Sequence, residues 1–576
     1  MRIICIALFC ALAAPGFSQS NILVTNAMAD AVLKGTYNPN DYAASVIVND
    51  KNVLVSGINA GVQADSLKQY ILEMGQFNTR NTGSDTLSAT NGIGAARRWA
   101  FDKFQSFSAQ NENRLLVSYL QFNQNICTIA QHRNIFAVLP GSDPENHGIV
   151  LIEGHIDSRC DSECDTACLA LGMEDNASGS ALVLELARVM SQYTYKNTLV
   201  FMLTIGEEQG LYGAAAFSQY SVDNDLPIRA VFNNDVVGGV ICGETSSAPS
   251  CPGLNDVDST SVRLFSYGSN TLNKQLARFT HLEYKEELFA QVMVPMTIHI
   301  MSGEDRIGRG GDHIPFRQDG FTAIRTTSAN EHGDASNGPG YSDRQHTSED
   351  ILGVDTDGDL MIDSFFVDFN YLARNAVING VSAAIAAIGP KTSDFSVVSY
   401  TDSTLTVSIF PEMAYPTYRI ALRSLGTDWD TVYTTTSLVT TLVLDSMSWY
   451  YVSVATVDSS GTESLFSPEI TIAHLWLDVE ESGSPSSGYR LLQNRPNPFD
   501  EATIISVYVT DPSAHKHAEI VVRDLNGTII RVLPIELKFE TNDVLYEHGY
   551  GATGVYTYSL VVDGETICTK RMIFAN

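Results

Sequence analysis

Three apolar runs, residues 148–152, 197–205 and 228–232, each lead directly into metal-seeking side chains: His155, the adjacent pair Glu207 and Glu208, and Asp235. Short apolar runs of this kind read as buried strands. Residues 177–192 follow another pattern, with Ala181, Leu182, Leu184, Leu186, Val189 and Met190 interspersed with polar and small positions, as on a helix covering a sheet. Strands and a covering helix together constrain this stretch to an open α/β sheet. Such sheets bind ligands just past the carboxyl ends of their strands, which is where the three runs deliver their polar residues. The helix would begin beside Asp175.

With Asp175 and His346 added, these residues read as ligands for two divalent ions. Two such ions roughly 3.5–4 Å apart can share a water, lower its pKa, polarise a carbonyl and stabilise an oxyanion. His155 would be a terminal imidazole ligand, with Asp157 accepting its other ring proton. The Asp175 carboxylate could place one oxygen on each ion, while Asp235 and His346 complete the terminal sets of different ions. Neighbours on a chain leaving a strand point in different directions, so Glu208 is assigned to metal and Glu207 to general base. Histidine nitrogen and carboxylate oxygen suit zinc better than calcium or magnesium. Taken singly, each residue has a plainer reading: Asp175-Asn176 as a helix cap, Asp235 as a strand-end turn residue, and Glu207-Glu208 as a solvated loop. The joint pattern is what points to an enzyme.

The motifs His155-Ile156-Asp157, Asp175-Asn176 before a small-residue helix, Glu207-Glu208, Asp235 and His346-Thr347 make residues 76–388 resemble the secreted dizinc aminopeptidases of metallopeptidase family twenty-eight. The resemblance implies His155 and Asp235 on one zinc, Glu208 and His346 on the other, Asp175 bridging and Glu207 as base. It implies hydrolysis at a free amino terminus, with Glu207 taking a proton from the water between the ions and passing it to the leaving amine. Residues 311–316 are similar to a family segment lining the pocket, and Arg309 to an arginine placed near substrate. Gln345 departs from the pattern, since several relatives carry tyrosine there as an oxyanion donor. A carboxypeptidase or glutaminyl-cyclase-like enzyme on the same scaffold is the related alternative, and a non-catalytic surface binding protein the unrelated one.

At 576 residues the chain suggests about three folded units. A net charge of −31 argues against nucleic acid or anionic membrane as partner. Arg2, an apolar segment over 3–15 and small residues at 16–18 read as a secretory signal, and no later stretch is read as crossing a bilayer, so the mature chain is expected to have no transmembrane segment. Seven cysteines remain after that leader, an odd number. Cys242 and Cys251 are the first candidate bridge, and Cys160, Cys164 and Cys168 read as structural disulfides in preference to a zinc knot. Residues 19–77 are either a propeptide or a flank of the catalytic unit taken as 78–389.

Phe369–Ile388 has helical spacing and ends at Gly389-Pro390. Just before it, Asp355, Asp357, Asp359 and Asp363 repeat as in a calcium loop, although Leu360 stands where an EF-hand needs glycine; a solvated acidic loop is the other reading. Beyond Pro390 the period falls to two, as in Leu405/Val407/Ile409 and Tyr418/Ile420/Leu422. Residues 391–474 resemble a fibronectin type III sandwich, which implies a spacer or binding module. Residues 475–488 are a linker by composition. Residues 489–576, with Leu492-Gln493-Asn494-Arg495-Pro496-Asn497-Pro498-Phe499, a hairpin at Asn526-Gly527 and Lys570-Arg571-Met572, resemble a type IX secretion sorting domain, which implies the type IX export machinery as partner and an outer-surface or secreted location. A small β-sandwich without an export role is the alternative. The expected architecture is thus α/β, a mixed central sheet flanked by helices, followed by two small all-β sandwich domains.

Overall fold

The computed structural model describes residues 19–143, 148–242, 256–306, 309–329, 344–359, 361–401, 403–424, 426–444, 450–472, 488–499, 502–510, 517–524, 527–548 and 554–574. The leader (1–18), Cys251, Leu360, Asn526 and nearly all of the 475–488 linker lie outside them.

A nine-stranded mixed sheet organises the first unit. Its strands are β1 (Ser20–Val24), β2 (Leu116–Ile126), β3 (Ile129–Leu139), β4 (Ile149–His155), β5 (Thr198–Thr204), β6 (Ile228–Asn234), β7 (Ser261–Phe265), β8 (Thr297–Ile300) and β9 (Ala323–Ser328), in the order β1-β2-β3-β5-β4-β6-β9-β7-β8. At its centre β5, β4, β6 and β9 run parallel, while β1 to β3 pair antiparallel on one side and β7 is antiparallel to β9 on the other. Every residue of β4 and β5 is buried, which is why both read as continuous apolar runs instead of alternating ones. Register sets His155 opposite Thr204 and Glu153 opposite Asn233. The residues that follow β4, β5 and β6 therefore emerge together at one edge.

The helices are α1 (Ala27–Leu33), α2 (Lys51–Gly61), α3 (Ala64–Gly75), α4 (Gly92–Gln110), α5 (Ala177–Met190), α6 (Tyr212–Asp223), α7 (Leu272–Glu283), α8 (His313–Gln318) and α9 (Phe369–Ile388). The Asn176 side chain caps α5 by accepting from the Gly179 N–H at 2.8 Å. A Cβ on Gly179 would stand 2.1 Å from the Asn234 carbonyl oxygen, so only glycine lets the start of α5 settle onto the end of β6. This close approach fixes where Asp175 projects. By length and composition α9 could cross a membrane, which corrects the reading that no stretch past the leader could. It is instead a buried core helix packed on α2, α3 and α5.

The unit also begins earlier than the boundary at 78. Strand β1 is the edge of the sheet, paired with β2, and Leu54, Ile58, Leu67 and Ile71 of α2 and α3 are fully buried in the common core. Two disulfides, Cys127–Cys164 and Cys160–Cys168, tie down the loop that follows β4. Cys242 is disulfide-bonded and Cys568 is free.

Residues 394–472 form two facing sheets, one of three strands (Asp394–Tyr400, Thr404–Phe410, Val439–Val443) and one of four (Thr431–Thr435, Thr417–Arg423, Tyr450–Val457, Ile470–Ile472). Leu405, Val407, Ile420 and Val452 fill the space between them. This sandwich is docked on the first unit, because Ala421, Trp429, Ala455 and Phe466 belong to the first unit's core. Glu469 sits in the same interface, accepting from Arg278 at 3.2 Å and Arg423 at 2.8 Å, all three buried. From Tyr489 a second pair of sheets, of three and four strands, encloses a separate core around Ile505, Tyr546, Tyr558 and Met572. It meets the second unit where Ile504 and Leu545 pack on Tyr451.

Candidate metal centre

Each central strand hands over its polar residue at the same edge. His155 is the last residue of β4; Gly206, with a φ of 73°, turns the chain out of β5 into Glu207 and Glu208; Asp235 directly follows β6. Asp175 arrives from the other side, immediately before the cap of α5. The described structure brings His346 to this group from a distant part of the chain.

The distances are those of a shared ligand cluster. His155 Nε2 lies 3.1 Å from Asp175 Oδ1 and 3.3 Å from Asp235 Oδ1. His346 Nε2 lies 3.0 Å from Asp175 Oδ2 and 3.3 Å from Glu208 Oε2. The two oxygens of Asp175 thus face different histidines. Ligand atoms of His155, Glu207 and Asp235 lie within 4.8 Å of one another, as do those of His155, Asp175 and Glu208. Glu207 therefore faces the cluster as well, partly exposed at the floor of a cleft.

Electrostatics favour a cation here. Burial would lower the His155 pKa, yet the Glu207 charge and hydrogen bonds to Asp157, Asp175 and Asp235 raise it well above the ordinary value. Asp175 is held well below the carboxylate range because bonds to His155 and His346 overcome its burial. Glu208 is pushed well up by burial and the Asp175 charge. Burial, with Arg159 and Arg309 nearby, brings His346 down to about 4 against the pull of Asp175. Among the described residues Glu208 Oε1 is buried with no hydrogen-bond partner, a costly condition for a carboxylate unless a cation is bound. Imidazole nitrogen and carboxylate oxygen in a buried set fit zinc.

Asp157 serves more than the imidazole. His155 Nδ1 lies 3.1 Å from the Asp157 backbone oxygen and 3.5 Å from its carboxylate Oδ1. The other carboxylate oxygen accepts from Thr82 Oγ1 at 3.0 Å and the Glu208 N–H at 3.4 Å. It thus also steadies the turn after β5.

Several supports escaped the sequence reading. Asp350 accepts from the backbone N–H groups of Glu174 (2.9 Å) and Asp175 (3.0 Å). Arg325 binds Asp235 at 3.0 Å and is itself paired with Asp305 at 2.8 Å. Arg159 reaches Glu208 at 2.8 Å and His346 Nδ1 at 2.7 Å. Buried Arg80 donates to the carbonyls of Ile156 (2.7 Å) and Gly172 (2.9 Å), bracing the loop that carries Arg159. Position next to a motif was the one signal available for Arg159 and Asp350. Arg309 does reach the site, with Nη1 3.2 Å from His346 Nδ1, and Gln345 donates to Asp175 Oδ2 at 2.6 Å. Asp312 and Thr204 hydrogen-bond beneath the cluster.

The acidic loop lies elsewhere. Asp355, Asp357 and Asp359 converge on the surface, but their carboxylates accept from nearby backbone N–H groups of the same loop. Asp363 is bonded to Thr356.

A model of peptidase family M28 matches residues 134–360. A protein of Pyrenophora tritici-repentis described as "Probable zinc metalloprotease" is 32% identical over 333 residues, covering 55% of this chain and 72% of the relative. Among solved structures, the LapA aminopeptidase of Legionella pneumophila aligns at 18% identity with a TM-score of 0.42, covering 58% of this chain and 73% of that one. The glutaminyl cyclase of Porphyromonas gingivalis aligns at 18% identity with a TM-score of 0.37, covering 56% and 98%.

Proposed function

The chain belongs to peptidase family M28 and is a zinc metallopeptidase, and from that premise we propose that it is a dizinc aminopeptidase acting on peptides. One observation carries this reading: Asp175 turns its two oxygens to two histidines that each have a further carboxylate beside them, Asp235 and Glu208, and Glu207 lies against the cluster. His155, Asp175 and Asp235 would hold one ion and Asp175, Glu208 and His346 the other. When bound, zinc supplies a Lewis acid that polarises the scissile carbonyl and acidifies the attacking water.

The chain's own residues do the rest. Glu207 takes a proton from the attacking water and returns it to the leaving amine. Burial first, then the charges of Asp235, Glu208 and Asp312, raise its carboxyl well above the ordinary range against the pull of His155; a group that must accept and then release a proton works best displaced in that direction. Asp350 and Gln345 fix Asp175, while Arg325 fixes Asp235. The carboxylate-lined floor favours the ammonium end of a peptide.

The test is hydrolysis of aminoacyl anilides and of amino-blocked peptides by protein stripped of metal and resupplied with zinc, beside Glu207→Gln. Cleavage of unblocked substrates alone, zinc-dependent and lowered about 10²–10⁴-fold in Glu207→Gln with two zincs retained, is expected. Release of carboxy-terminal residues from blocked peptides would mean a carboxypeptidase, and cyclisation of amino-terminal glutamine a cyclase. Two bound zincs without turnover would mean a binding protein.

The same proposal places the enzyme outside the cell. The leader and the likeness of 489–576 to a type IX sorting domain support export by that route, and the disulfides of Cys127, Cys160, Cys164 and Cys168 suit an oxidising compartment.

A further inference from the structure

Two carboxyls meet out of water where α7 touches the sandwich. Glu283, the last residue of α7, is 3% exposed, and Glu463, which bridges back to the strand end at Val457, is 6% exposed. Their side chains are in hydrogen-bond contact. Two ionised carboxylates offer each other acceptors only, so such a contact needs a proton on one of them.

The charges around the pair are already committed. Beyond α7 the chain widens into a π turn, Tyr284–Leu288, whose Glu286 and Glu287 take separate partners. Glu286 accepts from Arg419 of the sandwich at 2.7 and 2.9 Å, and Glu287 from Lys51 of α2 at 2.6 Å. Lys51 also donates to the Gly461 carbonyl oxygen at 2.8 Å, and Arg419 Nη1 lies 3.4 Å from Glu463 Oε2. Four carboxyls therefore face two cations. Among the described residues, neither buried oxygen of Glu463 accepts a hydrogen bond from an N–H. Burial, then the Glu463 charge, push the Glu283 carboxyl well above the ordinary range; burial raises Glu463 too, against the pull of Arg419. A shared proton relieves both, since Glu283 stays neutral and donates while Glu463 keeps the charge that Arg419 faces.

We propose that Glu283 and Glu463 share one proton across the boundary between the catalytic unit and the sandwich, and that this proton is a latch: the docking is tightest in acid and loosens as the pH rises and the proton leaves. Glu283 belongs to the catalytic unit and Glu463 to the sandwich, so ionisation of both sets like charges against each other at the junction itself. In the unfolded chain such a carboxyl titrates near 4.5. Its contribution is therefore complete below that pH and is lost as the pH rises toward the raised value in the folded protein. One proton held only by the folded state changes the folding equilibrium up to tenfold for each pH unit in that window.

Urea unfolding of the full chain at pH 5, 7 and 9, in one fixed metal state, tests the latch beside Glu283→Gln, whose amide N–H replaces the shared proton at every pH. The wild type is expected to lose stability with rising pH up to tenfold per unit more steeply than the variant, so that the variant is the more stable of the two at pH 9. Glu463→Gln, which removes the partner's charge, should also flatten the slope and serves if Glu283→Gln does not fold. Hydrogen exchange, corrected for its intrinsic pH dependence, locates the effect: between pH 6 and 9 it should rise in residues 284–288 and 457–464 of the wild type, stay level there in Glu283→Gln, and stay level in β4 and β5 of both. Equal slopes in the wild type and the variants would overturn the latch. So would a Glu283→Gln that is weaker by the same factor at every pH, because both carboxylates would then be ionised partners of Lys51 and Arg419.

Discussion

Asp175 faces two histidines at once because Asp350, 175 residues further along, accepts both the Glu174 and the Asp175 backbone N–H. Outer partners of this kind typically tune metal affinity about 10–100-fold. Asp350→Ala is therefore expected to weaken zinc binding by that much in a chelator competition while the far-ultraviolet circular dichroism stays unchanged. Asp305 acts on the other side of the cluster. Burial alone would raise its carboxyl, but Arg325 and Arg306 outweigh it and hold the pKa at about 2. A depressed carboxyl stabilises the fold above its unfolded pKa near 3.8 and loses that contribution as pH falls through about 2. The difference is worth about 2 kcal/mol. Urea unfolding at pH 6, 4 and 2 should show that loss in the wild type, and the loss should be smaller in Asp305→Asn, which starts from lower stability because Arg325 loses a buried partner. Asp305 carried no signal in sequence and Asp350 only its place next to a motif, since each matters through residues folded beside it.

Among the elements, β4, β5, β6, α5 and α9 were legible because their patterns are local. Continuous apolar runs mark strands buried on both faces, and a cap followed by small residues marks the start of α5. The loop after β4 was less legible. Its cysteines read correctly as structural disulfides, but their pairing depends on Cys127, delivered by the hairpin between β2 and β3, which only the sheet brings near Cys164. That bridge closes 37 residues and anchors the segment holding Arg159. Replacing Cys127 and Cys164 by serine is expected to cost about 2–4 kcal/mol of stability and to raise hydrogen exchange in residues 156–172 before the rest of the sheet.

The whole molecule departs most from a reading by segments. A sandwich expected as a spacer lends Ala421, Trp429, Ala455 and Phe466 to the core of the catalytic unit, and Glu469 gathers Arg278 from α7 and Arg423 from the sandwich. Both arginines also donate to the Ser269 carbonyl oxygen, at 2.8 and 2.9 Å. Removing the carboxylate would leave two buried guanidinium groups without their counter-charge, so Glu469→Gln should destabilise by about 3–5 kcal/mol. Scanning calorimetry is expected to show the first two units melting in one transition, and two well-separated transitions for them would contradict the docked arrangement. Residues 19–77 make the same point at the other terminus, where an ambiguous flank supplies the edge strand β1 and the buried faces of α2 and α3.

By itself, the sequence determined which strands end in polar residues and at which sheet edge, because burial on both faces and the cap of α5 are written in neighbouring residues. It also placed His155, Glu207, Glu208 and Asp235 at those ends. Only the tertiary structure decided what surrounds them: Asp350 and Arg325 at the cluster, Arg159 and Arg309 on the His346 ring, Cys127 on Cys164, and Glu469 between two arginines. Periodicity carries information over a few residues, whereas these partners lie tens to hundreds of residues apart and meet only after the sheet and its helices have packed.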